Sequence, residues 1–421
     1  MMRRAFLISA LSALFTISSE AGEIDSSTAI FEPTFRSLKV SNADDFMAPP
    51  LIRLNSQDRI LISFDEMAED PSDLCARLIH CNSDWQPSAL LESEYLQGFN
   101  MESLDDYGFS SNTFHHFVNY RFTFPSESLV PTVSGNYLLQ IYDRDDPDTT
   151  LLQARFQVVE PLITTTGDLT TRTDRDTNES HQQLSLRLLT RDYRIDNPYN
   201  DLKVSVVQNN RPATERFLTA PLRIAGPEIV YEHQAPLIFP ASNEYRRFET
   251  VRASYPGMHV DSVAFIGRGY HAYLTPDADR SEHQYVYDET QHGRFLIREY
   301  NSTDSDLGAD YVTVHFTLDF PELIGADIFV EGEMTANRCL EEFRMRYDHD
   351  AHLYRLEVPL KQGSYNYQYV VRGTDAPHWS GDPGVVEGNK YETSNEYLVS
   401  VYHRPVGARA DRLVSAALIT K

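Results

Sequence analysis

The sequence predicts an all-β protein: three tandem β-sandwich, immunoglobulin-like domains behind a signal peptide. Three observations carry this. Apolar residues recur with period two in segment after segment, the pattern of half-buried strands. No segment of the first block shows a long helical stripe. Tyr (24) and Phe (22) dominate the aromatic content, and aromatic side chains suit the pleated surface of a sheet.

The chain opens with "MMRRAFLISALSALFTISSEAGEI". Two arginines precede an apolar run from Ala5 to Ile17, and the small residues Ser19 and Ala21 stand before a cleavage point. This reads as a secretory signal peptide over residues 1–21, since the run is too short to span a bilayer. Losing Arg3, Arg4 and Glu20 with it moves the formal charge from −25 to −26. Such a surface disfavours nucleic acid and a bare anionic bilayer as partners. Cys75, Cys81 and Cys339 are too few, and odd in number, for a disulfide framework. The first two fall in one strand, roughly 20 Å apart if extended, and read as small packed residues.

The first block, residues 22–160, places Ile60 and Ile62 on one face of "DRILISFD". Tyr120, Phe122 and Phe124 alternate in "NYRFTFPSES". "SGNYLLQIYDRDD" and "LLQARFQVVEP" form a hairpin. "SALLESEYLQGF" is a short helix at most. The middle block, 161–307, is less regular. Its strands include "HQQLSLRLLTRDY" and "LKVSVVQNN", with a turn at Asn209-Asn210. "APLIFPAS", "EYRRFETVRASY" and "GRFLIREYNSTDSD" follow. The third block, 308–403, holds about seven short strands, as in an immunoglobulin-like sandwich. In it Val312, Val314, Phe316 and Leu318 share a face, as do Tyr354, Leu356, Val358 and Leu360. Tyr365, Tyr367 and Tyr369 run up the return strand after Gly363. Residues 404–421 read as a tail or a short terminal helix.

Candidate chemistry is thin. Glu92, Glu94, Glu102, Asp105 and Asp106 crowd one region, but in a chain with 62 acidic residues such proximity is expected by chance, and a glycosidase needs a pair set across a cleft. "YDRDDPDT" lacks the Gly of a calcium loop. His349 and His352 sit in a turn without further zinc ligands. No phosphate loop, nucleophile elbow or HExxH stretch occurs. The reading is therefore no catalytic residues, no metal and no cofactor.

The stretch "RLIHCNSDWQPSALLESEYLQGFN", residues 77–100, reads as strand, turn, short helix and a Gly98 turn. Asn82 and Asp84 can bond their own backbone. Trp85 either anchors a partner at the surface or plugs the bottom of the sandwich.

Two resemblances add to this reading. "IFVEGEMT", "RMRYD", "YRLEVPLKQGSYNYQYVV" and "HWSGDP" resemble the early-set immunoglobulin-like domain of glycogen-binding modules. "GEMTANRCLEE" lacks the sugar-stacking Trp of those modules, and Trp379 is the one Trp of the block, so a glycan is not expected as partner. A periplasmic or surface glycan-binding protein is the alternative. The 77–100 stretch, with "FVNYRFTFP", "SGNYLLQIYD", "ARFQVVEP" and "EGNKYETSNEYLVSVYHRP", resembles the plug protein family of the type IX secretion system of Bacteroidetes. That resemblance implies a non-enzymatic periplasmic protein. It would close the periplasmic mouth of a very large outer-membrane translocon barrel and meet the membrane only through that partner. Trp85, Tyr95, Phe99, Tyr107 and Phe109, in a dense aromatic and acidic region, are the candidate partner interface.

Overall fold

The computed structural model describes residues 26–377 and 380–421. The expected signal peptide and Trp379 lie outside the described residues. Among the described residues the α-helices are four-residue turns, such as Glu92–Tyr95. The rest of the regular structure is mainly antiparallel sheet.

The first apolar core lies between two sheets. One orders Phe35–Asn42, Ile60–Glu66, Val118–Phe124 and Tyr107–Phe109. The other orders Ala29–Ile30, Asp146–Val159, Gly135–Asp143, Leu74–Cys81 and Glu102–Ser103. Alternation works as expected: Ile60, Ile62 and Phe64 point inward, against Tyr120, Phe122 and Phe124 from the paired strand. Phe64 and Tyr120 stack with ring centroids 5.3 Å apart, and Phe124 meets Phe156 of the opposite sheet at 4.7 Å. Such pairs add to plain area burial.

The other two cores do not respect the expected block boundaries. The strand Glu396–His403, expected to close the third block, pairs instead with Leu202–Gln208 in the middle of the chain. On its far side runs Arg412–Thr420. The expected tail or terminal helix is thus a nine-residue strand. Its Leu413 and Val414 are fully buried, and burial against a partner strand overrides the helix propensity of Ala and Leu. This sheet and one built on His181–Leu189 enclose the second core, with Leu186, Val204, Val399 and Val414.

Conversely, Arg246–Glu249 and Phe295–Ile297, expected in the middle block, flank Gly363–Gly373. Val260–Ile266 and Gly269–Leu274 extend the sheet of Tyr311–Asp319 and Leu353–Lys361. The third core between these sheets holds Phe248, Val312, Val314, Phe316, Val358 and Tyr365 to Tyr369 at alternate positions. Phe248 stacks on Tyr365 at 5.1 Å.

Buried polar contacts fasten the three cores to one another. Lys361 Nζ donates to Asp65 Oδ1 at 2.8 Å, to Asp65 Oδ2 at 2.6 Å and to the Asp306 carbonyl at 2.6 Å. Tyr311 and Asn119 also donate to that carboxylate, at 2.7 and 2.8 Å. Burial and the adjacent Asp65 carboxylate push the Tyr311 phenol well above its ordinary range. This knot joins the first core to the third. Arg211 grips Glu331 with two bonds, 2.6 and 3.1 Å, and also reaches the Gly381 carbonyl at 3.0 Å. Arg294 meets Glu396 at 2.5 Å. These two pairs join the second core to the third. Gln157 donates to Tyr402 at 2.8 Å, and Tyr402 donates to Asn136 at 2.8 Å, joining first to second. Paired buried groups of this kind fix one geometry, and removing one partner is costly.

Candidate docking surface

The 77–100 stretch is a structural corner. Asn82 N donates to the Gln86 carbonyl and Trp85 N to the Asn82 carbonyl, both at 2.9 Å. Trp85 takes φ +62°, a conformation rare for a bulky residue and held by its surroundings. The turn is fastened to the C-terminal segment. Ser83 N donates to Asp411 Oδ2 at 2.9 Å, and Asn82 Oδ1 accepts from Arg404 at 2.7 Å. Asn100 brackets Leu78, accepting from its N–H at 2.7 Å and donating to its carbonyl at 2.9 Å. It serves as the next rung beside that strand.

His80, 1% exposed, accepts from or donates to Ser88 Oγ at 2.9 Å and points Nε2 at the Ser134 carbonyl, 3.3 Å away. A carbonyl only accepts, so Nε2 carries the proton and Nδ1 takes the serine hydroxyl. Burial lowers its pKa to about 4, against the raising effect of that carbonyl.

The five candidate interface residues separate. Trp85, 5% exposed, is an interior plug packed with Ile79, Cys81 and Leu138, with the Arg155 guanidinium 3.7 Å above its ring. Tyr95 is equally buried and donates to the Leu78 carbonyl at 3.0 Å. Neither can meet a partner, because the apolar area of each is already spent inside the fold. Phe99 is 87% exposed, on a loop with exposed Met101. Tyr107 and Phe109 are exposed on the edge strand of a different sheet, their rings 6.1 Å apart.

Next in the chain beyond that edge strand, the structure assembles an aromatic cluster that the sequence reading missed. Phe114 lies 5.0 Å from Phe265 and 5.9 Å from Tyr270, and Phe265 lies 5.1 Å from Tyr270. The hairpin tip carrying Phe114 is held by Asp310, which accepts from Phe114 N at 2.7 Å and His115 N at 3.1 Å. Phe114, Phe265 and Ile266 are all at least half exposed. The available signal was "SVAFIGRGYHAY", an apolar run with a Gly267 turn at φ +64°.

The suspected chemical residues are occupied structurally. Glu94 accepts from Leu91 N at 2.8 Å and pairs with Arg409. Glu92 accepts from Asn100 at 2.8 Å, and Glu102 bonds Ser126. Among the described residues no group of three or more His, Cys, Asp or Glu is placed to hold a metal. The three cysteines are buried and free. A cleft of about 370 Å³ opens between Phe35–Asn42 and the 333–343 segment, lined largely by apolar groups such as Phe31, Leu38, Met334 and Leu360. Burial raises the Glu333 carboxyl at its wall.

Fold and surface together define a multi-sheet β protein bound into one body, with exposed aromatic groups on its rim. Residues 35–160 match the model of the type 9 secretion system plug protein first domain. That range runs from Phe35–Asn42 to Asp146–Val159 in the sheets around the first core. A crystal structure of a hypothetical protein from Parabacteroides merdae ATCC 43184 is 38% identical, covers 94% of this chain and 99% of that chain, and superposes with a TM-score of 0.91. The chain belongs to the type 9 secretion system plug protein family. Two further structures, Pseudomonas fluorescens alkylpurine DNA glycosylase AlkC bound to DNA (15% identity, 30% of each chain) and a biofilm associated protein BSP domain (7% identity, 96% of this chain, 61% of that chain), give TM-scores of 0.17 and 0.20 and carry no argument. No curated protein matches the chain.

Proposed function

We propose that this protein is a non-enzymatic periplasmic plug, docked on the periplasmic mouth of the outer-membrane translocon barrel of the type IX secretion system. Membership of the plug family is the observation that carries this reading. The physics supports it in two ways. A plug must resist deformation, and the buried Lys361–Asp65, Arg211–Glu331 and Arg294–Glu396 pairs cross-brace the three cores. A plug must also present a surface to its partner, and exposed Tyr107, Phe109, Phe114 and Phe265 offer aromatic area of the kind that dominates binding energy. No helix among the described residues is long and apolar enough to cross a membrane, so outer-membrane association runs through a protein partner in this reading.

The test is affinity capture of the tagged mature protein from solubilised outer membrane of its own host, read by mass spectrometry. Recovery of one very large barrel protein is expected. Absence of any such protein, with the tagged chain monomeric and free, overturns the proposal.

A further inference from the structure

The strand Val260–Ile266 is the outer edge of its sheet, paired on one side only, with Gly269–Leu274. Proteins usually protect such an edge with charge, proline, a bulge or a covering loop, because its free backbone groups template another strand. Here an irregularity in register sits at the start, between Val260 and Ser262, beside exposed Asp261. After it, Ser262 to Ile266 run "SVAFI" with no charge and no proline. Among the described residues no other strand lies against this edge. In a chain with 62 acidic residues and a net charge of −25, an uncharged, exposed edge is a local exception.

The side chains around it fit the same use. Phe265 stands directly opposite Tyr270 in the ladder and against Phe114 from the hairpin tip. Ile266, next along the strand and so on its other face, is 50% exposed. Rings held by cross-strand contact and by the Asp310 clamp lose little freedom when a partner covers them.

We infer that Val260–Ile266 is a strand-addition site, taking an extended segment of the translocon barrel as its next strand. This rests on the plug reading above. Main-chain bonds to the free edge would supply register, with Phe265 and Phe114 offering apolar contact on one face of the sheet and Ile266 on the other. The ends of the strand define the occupant's charge. Asp261 is exposed at the start of the strand, and Arg268 is exposed in the turn just past its end. The added segment is therefore apolar at its centre, with a basic residue where it passes Asp261 and an acidic one at the end nearer Arg268.

The experiment repeats the membrane capture with Phe265→Lys and, separately, Ile266→Lys. Val406→Lys, at a 95% exposed site, is the control, and matched melting curves establish folding. Amide hydrogen exchange of the 261–266 peptide is measured in the free parent protein and in its complex. Expected are at least tenfold less barrel recovered with either edge variant, unchanged recovery with the control, and slowed exchange in the complex. Parent-level recovery by the edge variants overturns the inference and leaves the plug reading intact. Lost recovery with unchanged 261–266 exchange overturns strand addition. So does an edge-dependent homodimer seen by light scattering, which would make a second copy the occupant. Failure of the parent protein to capture a barrel overturns both readings.

Discussion

Lys361→Met tests the bracing between the first and third cores. Lys361 and Asp65 are 1% and 0% exposed. The ammonium places all three protons, two on the Asp65 carboxylate and one on the Asp306 carbonyl, with the Phe117 ring 4.1 Å away. Methionine fills similar space without donors. It would leave Asp65 charged and buried with only Tyr311 and Asn119 as donors, and the Asp306 carbonyl without this partner. Breaking one side of a buried pair costs about 3–5 kcal/mol. Asp65→Asn, which strands the ammonium, should cost a similar amount. The double variant Asp65→Asn/Lys361→Met buries no unpaired charge. It should cost less than the sum of the singles, by on the order of 2 kcal/mol. Urea unfolding followed by far-UV circular dichroism measures all three. Single variants within about 0.5 kcal/mol of the parent, the range typical of ordinary surface substitutions, would refute the claim that this knot braces the cores. A double variant as costly as the sum of the singles would refute the coupling.

Three further outcomes are expected. With His80 held near pKa 4 against an ordinary 6.5, the unfolded chain takes up its proton first as pH falls. Stability is fully present above pH 6.5 and drops by about 3 kcal/mol on approach to pH 4. Urea midpoints across that window should fall less steeply in His80→Gln, and an unchanged slope contradicts the assignment. Trp85→Ala removes an interior plug and should cost about 3–5 kcal/mol. Phe99→Ser, at an 87% exposed site, should leave the melting curve where it was, and the reverse ranking would contradict the burial. Asp310→Ala removes the acceptor for the Phe114 and His115 amides. Hydrogen exchange of residues 112–116 should quicken while the cores remain protected, and unchanged exchange in that loop would show that Asp310 does not hold it.

Alternation was readable because its cause is local: successive side chains on a strand point to opposite faces whatever strand lies alongside. Ile60 and Ile62, the run Val312 to Leu318, and the tyrosines 365, 367 and 369 could thus be placed on buried faces directly. Pairing was not readable, because hydrogen-bond partners far apart in the chain leave no local mark. Nothing in "NEYLVSVYHRP" says that it lies beside Leu202–Gln208. Nothing in "RLVSAALIT" says that it is a strand until Glu396–His403 is beside it. Which interface candidates are buried was unreadable for a related reason. An aromatic residue in a polar loop reads the same whether it plugs the fold, as Trp85 and Tyr95 do, or faces solvent, as Phe99, Tyr107 and Phe109 do.

The sequence by itself determined the all-β class, most of the strands and the family, because periodicity and a long unusual motif are properties of the chain. Tertiary structure alone decided which strands share a sheet, that buried ion pairs bind three cores together, and that Phe114 and Phe265 meet beside an open edge. The three ion pairs alone join residues 102, 120 and 296 positions apart, and only folding brings them within reach.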